Sequence, residues 1–426
     1  LMEIRRGGDG EAKGAKLGFT ADVPPLGYRV YRGATRGKES RSKIKVEGEK
    51  VETPFFELTV DKETGIVKIL DKDSGFSIKG NELFIDDEIG DLYHHRSRFA
   101  DLIKSESGEG LQYGSFKPKS FKIEEGALRT KIVFEDEYYC LTWPYRLKEK
   151  FPPRLYKYKT LDIRKEVTVF RDIPRIEFIT RIDNKYPNIR LSIKFDTGIA
   201  RKVYFRETQF GVVPEPTEYF FAKEEGFQPS GIPNFMGWFD LSDGIRGITF
   251  MNKGLPAVWI KEGAVFIRLL RSVNGLSADG TAGPLVPTPD ALELKPYTFE
   301  YALQFHKGDW RQSETYKQAR GFHFPPLSTL ADSKGNLPTS FSFLELSPNN
   351  LVLSALKKAE DSDEVILRFF ETEGAATRGE VRAFREIKRA TLVDLLEREE
   401  EELYTYENRL ELEVKPFEIV TLKLKL

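Results

Sequence analysis

The residues with the most chemistry to offer lie between Asn81 and Arg96. Asn81-Glu82-Leu83-Phe84-Ile85 reads as a strand that runs into Asp86-Asp87-Glu88-Ile89-Gly90-Asp91-Leu92-Tyr93, followed by His94, His95 and Arg96. Carboxylates and a guanidinium bond to hydroxyls, and an aromatic ring packs on the face of a sugar, so this stretch holds the groups a polar-ligand site needs. A plain acidic hairpin would use the same residues, and the sequence leaves both readings open. The only histidines are His94, His95, His306 and His323. Neighbours on a strand face opposite ways, so His94 and His95 are poorly placed to hold one ion; one ring packed and one solvated is the simpler expectation. No HExxH, GxSxG or His/Cys ligand spacing occurs. Carboxylates are too plentiful for an acid and base pair to be picked out, because the separation that matters is spatial. Cys140, in YYCLTWPY, is the single cysteine; it excludes an internal disulfide framework or a Cys-rich zinc site and reads as an inert core thiol. No self-sufficient catalytic constellation emerges.

The elements that must position these groups are strands. Short alternating or β-branched and aromatic runs recur, among them Phe55 to Val60, Thr130 to Phe134, Lys165 to Phe170 and Arg175-Ile176-Glu177-Phe178-Ile179-Thr180. In the last, Ile176, Phe178 and Thr180 point one way and Arg175, Glu177 and Ile179 the other, the mark of half-buried antiparallel sheet. Asp61 to Gly65 and Asp71 to Gly75 are hairpin turns around the strand Ile66 to Leu70. Strand follows strand without helical crossovers, which predicts an all-β chain: a large many-stranded antiparallel super-sandwich followed by a smaller C-terminal β-sandwich.

The expected division is 1–45, an N-terminal segment with a docking strand over 17–31; 46–325, the large sandwich; and 326–426, the small one. Residues 1–20 are polar and Gly-rich, as in a frayed or linker-like segment. The strand from Leu17 to Tyr31 has too little chain around it for its own core, so it must pair with the C-terminal sandwich or cap the large one. Asp309 to Ala319 predicts a short helix that Phe324-Pro325-Pro326 breaks, and Ala331 to Pro338 a linker or surface loop. The acidic run Glu397 to Glu402 reads as a solvated turn or edge.

Composition bounds the partners. The chain has 426 residues, 40% hydrophobic and 31% charged, with 66 Lys+Arg against 67 Asp+Glu, a net charge of -1. There is no basic surplus for nucleic acid or an anionic membrane. Leu1 to Arg6 lacks a signal peptide's apolar region, and no run approaches the roughly 18 apolar residues of a membrane span, so a soluble, cytoplasmic protein is expected. Abundant charge with 3 Met and 1 Cys resembles the balance of heat-adapted proteins.

A set of motifs, in order, carries a family resemblance. They are Ala21-Asp22-Val23-Pro24-Pro25-Leu26-Gly27-Tyr28; Asn81-Glu82-Leu83 leading to Gly90-Asp91-Leu92-Tyr93; Phe210-Gly211-Val212-Val213-Pro214-Glu215-Pro216-Thr217; Leu269-Leu270-Arg271-Ser272-Val273 with Leu276-Ser277; Tyr301-Ala302-Leu303-Gln304-Phe305-His306-Lys307-Gly308-Asp309-Trp310; and Leu353-Ser354-Ala355-Leu356-Lys357-Lys358-Ala359-Glu360. Together they resemble the β-rich C-terminal half of the family 38 glycoside hydrolases, the retaining zinc-dependent α-mannosidases. Phe305 stands where the family pattern has Pro, and Asn274-Gly275 where it has Gly-Trp.

The resemblance implies that the nucleophile aspartate and the zinc ligands belong to a β/α catalytic portion ahead of the VPPLGY-like strand, so that this chain itself binds no metal and supplies no nucleophile. It also implies that Tyr93 and Arg271, with Asp91 as a weaker companion, meet sugar hydroxyls at the mouth of the active site. Tyrosine suits that task with its ring face and hydroxyl, and arginine with a fixed fork of donors. The expected partners are a mannose-containing oligosaccharide and the catalytic domain or subunit, with a homo-oligomer also open. The expected role is hydrolysis of terminal α-mannosides only together with that portion. The other reading is a freestanding carbohydrate-binding or assembly module.

Overall fold

The computed structural model describes residues 3–6, 12–16, 18–32, 43–88, 90–93, 114–142, 156–217, 234–277, 283–284, 286–331 and 335–426. Alternation of apolar and polar residues builds it. Along Ile176–Asn184 every second residue is buried and the rest are half-buried, as that stretch's alternation requires. The chain is all-β: among the described residues the only α-helix is Thr315–His323, beside a single 3-10 turn, Pro289–Leu292.

The described residues fall into two units. The first lies within 1–18, 40–204 and 215–309. It holds an eight-stranded sheet in the spatial order Val258–Lys261, Ala264–Arg271, Ile189–Asp196, Ser77–Asp87, Val67–Asp71, Phe56–Val60, Lys50–Glu52, Lys45–Glu47, each strand antiparallel to the next. A nine-stranded sheet includes Trp238–Ser242, Arg246–Lys253, Pro296–Lys307, Ile176–Asn184, Tyr156–Phe170, Arg129–Thr142 and Gly114–Glu124 in that order, also antiparallel throughout. Its remaining strands, Val203–Thr208 and Gly211–Pro216, fall across the division between units. The two sheets share one apolar core. Phe195 of the eight-stranded sheet meets Phe178, Phe250 and Tyr301 of the other edge to face, with ring centroids 5.5 to 6.3 Å apart.

A polar staple crosses this core. Lys194 stands opposite Glu82 and Phe195 opposite Gly80, which leaves Asn81 as the extra residue of a bulge, with a left-handed φ of 63°. Asn81 Oδ1 accepts a hydrogen bond from the Tyr301 hydroxyl (2.8 Å), Nδ2 donates to the Gly65 carbonyl (3.2 Å), and the Asn81 carbonyl accepts from Lys165 Nζ (2.9 Å). Asparagine tolerates the left-handed region better than most residues, so one side chain serves both the bulge and the staple. Gly80 is needed beside it, since a Cβ there would lie 1.9 Å from the Phe195 ring. Burial drags the Lys165 ammonium down to about 8 even against the charges of Asp136 and Glu82. On the solvent side of the same nine-stranded sheet, Lys131, Arg164 and Arg181 all reach the carboxylate of Glu166.

The second unit lies within 19–39, 205–214 and 310–426. A three-stranded sheet (Leu344–Ser347, Thr377–Ala383, Arg409–Val414) and a five-stranded sheet (Leu351–Lys358, Val365–Glu371, Ile419–Lys425, Arg389–Val393, Glu399–Leu403) enclose a core that includes Leu367, Phe369, Val381, Leu410 and Leu422. Gly27–Arg29 pairs with Ser340–Ser342 in this unit; of the strand expected over 17–31, these three residues are the only ones that form strand among the described residues. The acidic run contributes the edge strand Glu399–Leu403.

Two local expectations are corrected. The helix spans Thr315–His323 rather than Asp309 to Ala319. Trp310 is buried, its carbonyl accepts the Thr315 N–H (3.3 Å), and Glu314 takes a left-handed φ of 51°, so a turn occupies 310–314 and the helix begins after it. Near the N-terminus, Glu3–Arg6 and Ala12–Lys16 form an antiparallel pair with Glu3 opposite Lys16, where a frayed segment is expected. Period-two alternation in short polar runs is too weak a signal to separate the two.

Candidate functional site

Two strand ends make the site. Ser77–Asp87 and Ala264–Arg271 flank Ile189–Asp196 on opposite sides, in a register that brings residues 183 apart in sequence to one end of the sheet. The Glu88 N–H donates to the Asn188 carbonyl (2.9 Å) in the turn before Ile189, and the Ser272 N–H donates to the Ile189 carbonyl (2.8 Å). Both chain exits are thereby fixed to the same central strand.

Arg271 ties them together. Its Nε donates to Glu88 Oε2 at 2.6 Å, Nη1 to the Leu92 carbonyl at 3.3 Å, and Nη2 to the Asp91 carbonyl. The Glu88 side chain is 0% exposed and that of Arg271 24%. The other carboxylate oxygen, Glu88 Oε1, accepts the Gly90 N–H (2.9 Å). A buried carboxylate thus has a charged partner on one oxygen and a backbone donor on the other, the arrangement that makes its burial tolerable. Asp91 is also buried, and its Oδ1 accepts the Tyr93 N–H (2.9 Å), closing a small turn. The Leu92 N–H reaches the Gly275 carbonyl (3.0 Å), so the loop rests on the Asn274-Gly275 segment as well. Ser272 Oγ supports the base of the loop by donating to the Leu292 carbonyl (2.6 Å).

The three residues expected at the site, Tyr93, Asp91 and Arg271, do come together, and they do different jobs. Arg271 and Asp91 shape the loop, while Tyr93 is 54% exposed. Glu88, the partner of Arg271, is not singled out by the sequence, because Asp86, Asp87 and Glu88 are chemically alike. The side chains of Asp86, Asp87 and Cys140, and all of His94, His95 and Arg96, lie outside the described residues.

His306 and Asn81, both in motifs, have structural partners. His306 Nε2 lies 2.6 Å from Asp240 Oδ2, which also accepts from Thr249 Oγ1 (2.9 Å). Burial lowers the affinity of the ring for its proton, but the hydrogen bond and charge of Asp240 outweigh it, so His306 titrates above its ordinary value. Among the described residues no three His, Cys, Asp or Glu side chains converge to hold a metal ion.

Comparison with known proteins gives a consistent picture. Residues 51–274 match the family described as "Glycosyl hydrolases family 38 C-terminal domain", and residues 350–422 match "Glycosyl hydrolases family 38 C-terminal beta sandwich domain". A protein of Halalkalibacterium halodurans named "Putative mannosylglycerate hydrolase" is 27% identical over 384 residues, 84% of this chain and 40% of that protein. "Alpha-mannosidase 2C1" of Mus musculus is 26% identical over 274 residues, 62% of this chain and 24% of that protein. The crystal structure of an alpha-mannosidase from Enterococcus faecalis superposes with a TM-score of 0.70 at 20% identity, covering 88% of this chain and 42% of that one, which shows a shared fold. The chain therefore spans well under half the length of these relatives.

Proposed function

Because the chain belongs to glycosyl hydrolase family 38, with matches to both of its C-terminal β domains, we propose that it is the β-rich portion of a retaining α-mannosidase and completes the rim of an active site whose nucleophile and zinc lie in a separate catalytic portion. The observation that carries this reading is the loop Glu88 to Tyr93, held from behind by Arg271 and offering Tyr93 to solvent. A preorganised loop of this kind positions one aromatic hydroxyl without paying ordering entropy when a sugar arrives. Tyr93 would pack its ring on the sugar and bond one hydroxyl; Arg271 acts by holding the loop in place, and Asp91 by fixing the turn.

The described residues do not form a metal site. They fit a zinc ion poorly. The second unit leaves Phe324, Leu327, Leu330 and Leu337 exposed, at 68, 101, 101 and 74%, and apolar side chains so open suit cover by another domain. They favour the catalytic partner over a freestanding binding module.

The test is reconstitution. The chain alone, with or without zinc, should leave an aryl α-mannoside intact, and the same chain joined to a family 38 catalytic portion should hydrolyse it. In the joined enzyme Tyr93→Phe should raise KM about fivefold, the loss of one hydrogen bond of about 1 kcal/mol. Robust turnover by the chain alone would overturn the proposal.

A further inference from the structure

The second unit carries a groove that the reading above does not use. It has a volume of about 450 Å³, and its walls include Tyr404, Tyr406, Arg378, Arg409, Glu411 and Glu413. The size falls in the range of small-ligand sites. Tyr404 is 84% exposed and Tyr406 52%. Such rings cost free energy when left in water, and neither phenol hydroxyl has a hydrogen-bond partner among the described residues.

The presentation is rigid. Tyr406 and Arg409 exchange backbone hydrogen bonds at 2.9 and 3.0 Å, closing the turn between them. Asn408 Nδ2 ties that turn to the Ala383 carbonyl (2.9 Å), and the Glu407 carbonyl accepts the Ile387 N–H (2.8 Å). The Arg409 guanidinium lies 5.2 Å from the centre of the Tyr406 ring and has no carboxylate partner among the described residues. Arg378 forks onto Glu411 through Nε and Nη2.

Charge selects the ligand class. The walls carry guanidinium and carboxylate groups in equal number. An anion would meet Glu411 and Glu413, and a cation would meet Arg378 and Arg409. A neutral polyol meets donors and acceptors together and can lay an apolar ring face on tyrosine. We infer that this groove on the C-terminal β-sandwich binds a ring of a neutral oligosaccharide, at a site separate in function from the Tyr93 loop.

Isothermal titration of the full chain with mannotriose and with cellotriose tests this without relying on turnover, so its failure would leave the proposed hydrolytic role untouched. At least one sugar should bind saturably. The Tyr404→Ala/Tyr406→Ala double variant should bind it at least about tenfold more weakly. The substitutions are on exposed side chains, so the melting temperature should stay within about 2 °C and separate lost binding from lost folding. The inference is overturned if neither sugar binds, or if the double variant binds as tightly as the parent.

Discussion

Arg271→Met keeps most of the aliphatic length of the side chain and removes its charge and all its donors. What remains is Glu88, 0% exposed, its carboxylate facing a thioether. Removing one partner of a buried ion pair typically costs about 3–5 kcal/mol, because the surviving charge is left without compensation. The carbonyls of Asp91 and Leu92 also lose a donor, but Leu92 is exposed, and water replaces that bond at little cost. Adding Glu88→Gln to Arg271→Met removes the stranded charge, so the double variant should recover about 2–3 kcal/mol relative to the sum of the single changes. Urea unfolding of the four proteins of this cycle measures the coupling. Amide exchange at Gly90, Leu92 and Tyr93 should accelerate in Arg271→Met, since those N–H groups rest on Glu88, Gly275 and Asp91. A destabilisation below about 1 kcal/mol with additive effects would refute the view that Arg271 organises the loop. A rise in KM without a loss of stability would instead assign Arg271 to the sugar.

Two further outcomes follow from groups buried in the first unit. Lys165 titrates near 8 in the folded chain against 10.5 unfolded, so the unfolded state holds more protons between those values and stability should rise with pH by about 3 kcal/mol across them; Lys165→Met should remove that rise in urea midpoints, and an unchanged slope would refute it. His306 titrates above its ordinary 6.5, so its contribution is complete below that pH and fades as pH rises through the folded value; His306→Gln should lower the melting temperature at pH 6 and flatten its pH dependence, and equal loss at every pH would count against the Asp240 pairing as the cause.

The strands were legible because burial on one face writes a period of two into the residues, as along Ile176–Asn184. Asn81 shows where that rule stops. Its motif could be quoted, but its job depends on a register shift set by Lys194 and Phe195, more than a hundred residues away along the chain, and only the paired strands reveal it. Arg271 and Tyr93 were reached through resemblance to a family, whereas the division of labour between them was not. One forks inward onto Glu88 and the other stands in solvent because of how two strand ends meet one neighbour. The helix start slipped for a related reason: burial of Trp310 and a left-handed Glu314 override helix preference over 309–314.

The acidic edge strand Glu399–Leu403 bears on how the protein behaves at high concentration. It is the last strand of its sheet, and the open hydrogen-bonding side of any such strand is a template for recruiting another copy. Glu399, Glu400, Glu401 and Glu402 are exposed along it. Were two copies to align edge to edge, carboxylates would be stacked against carboxylates at strand spacing, and the growing ribbon would accumulate that repulsion with every molecule added. The run of glutamates is thus a guard against fibrillar self-association of a protein rich in β-sheet.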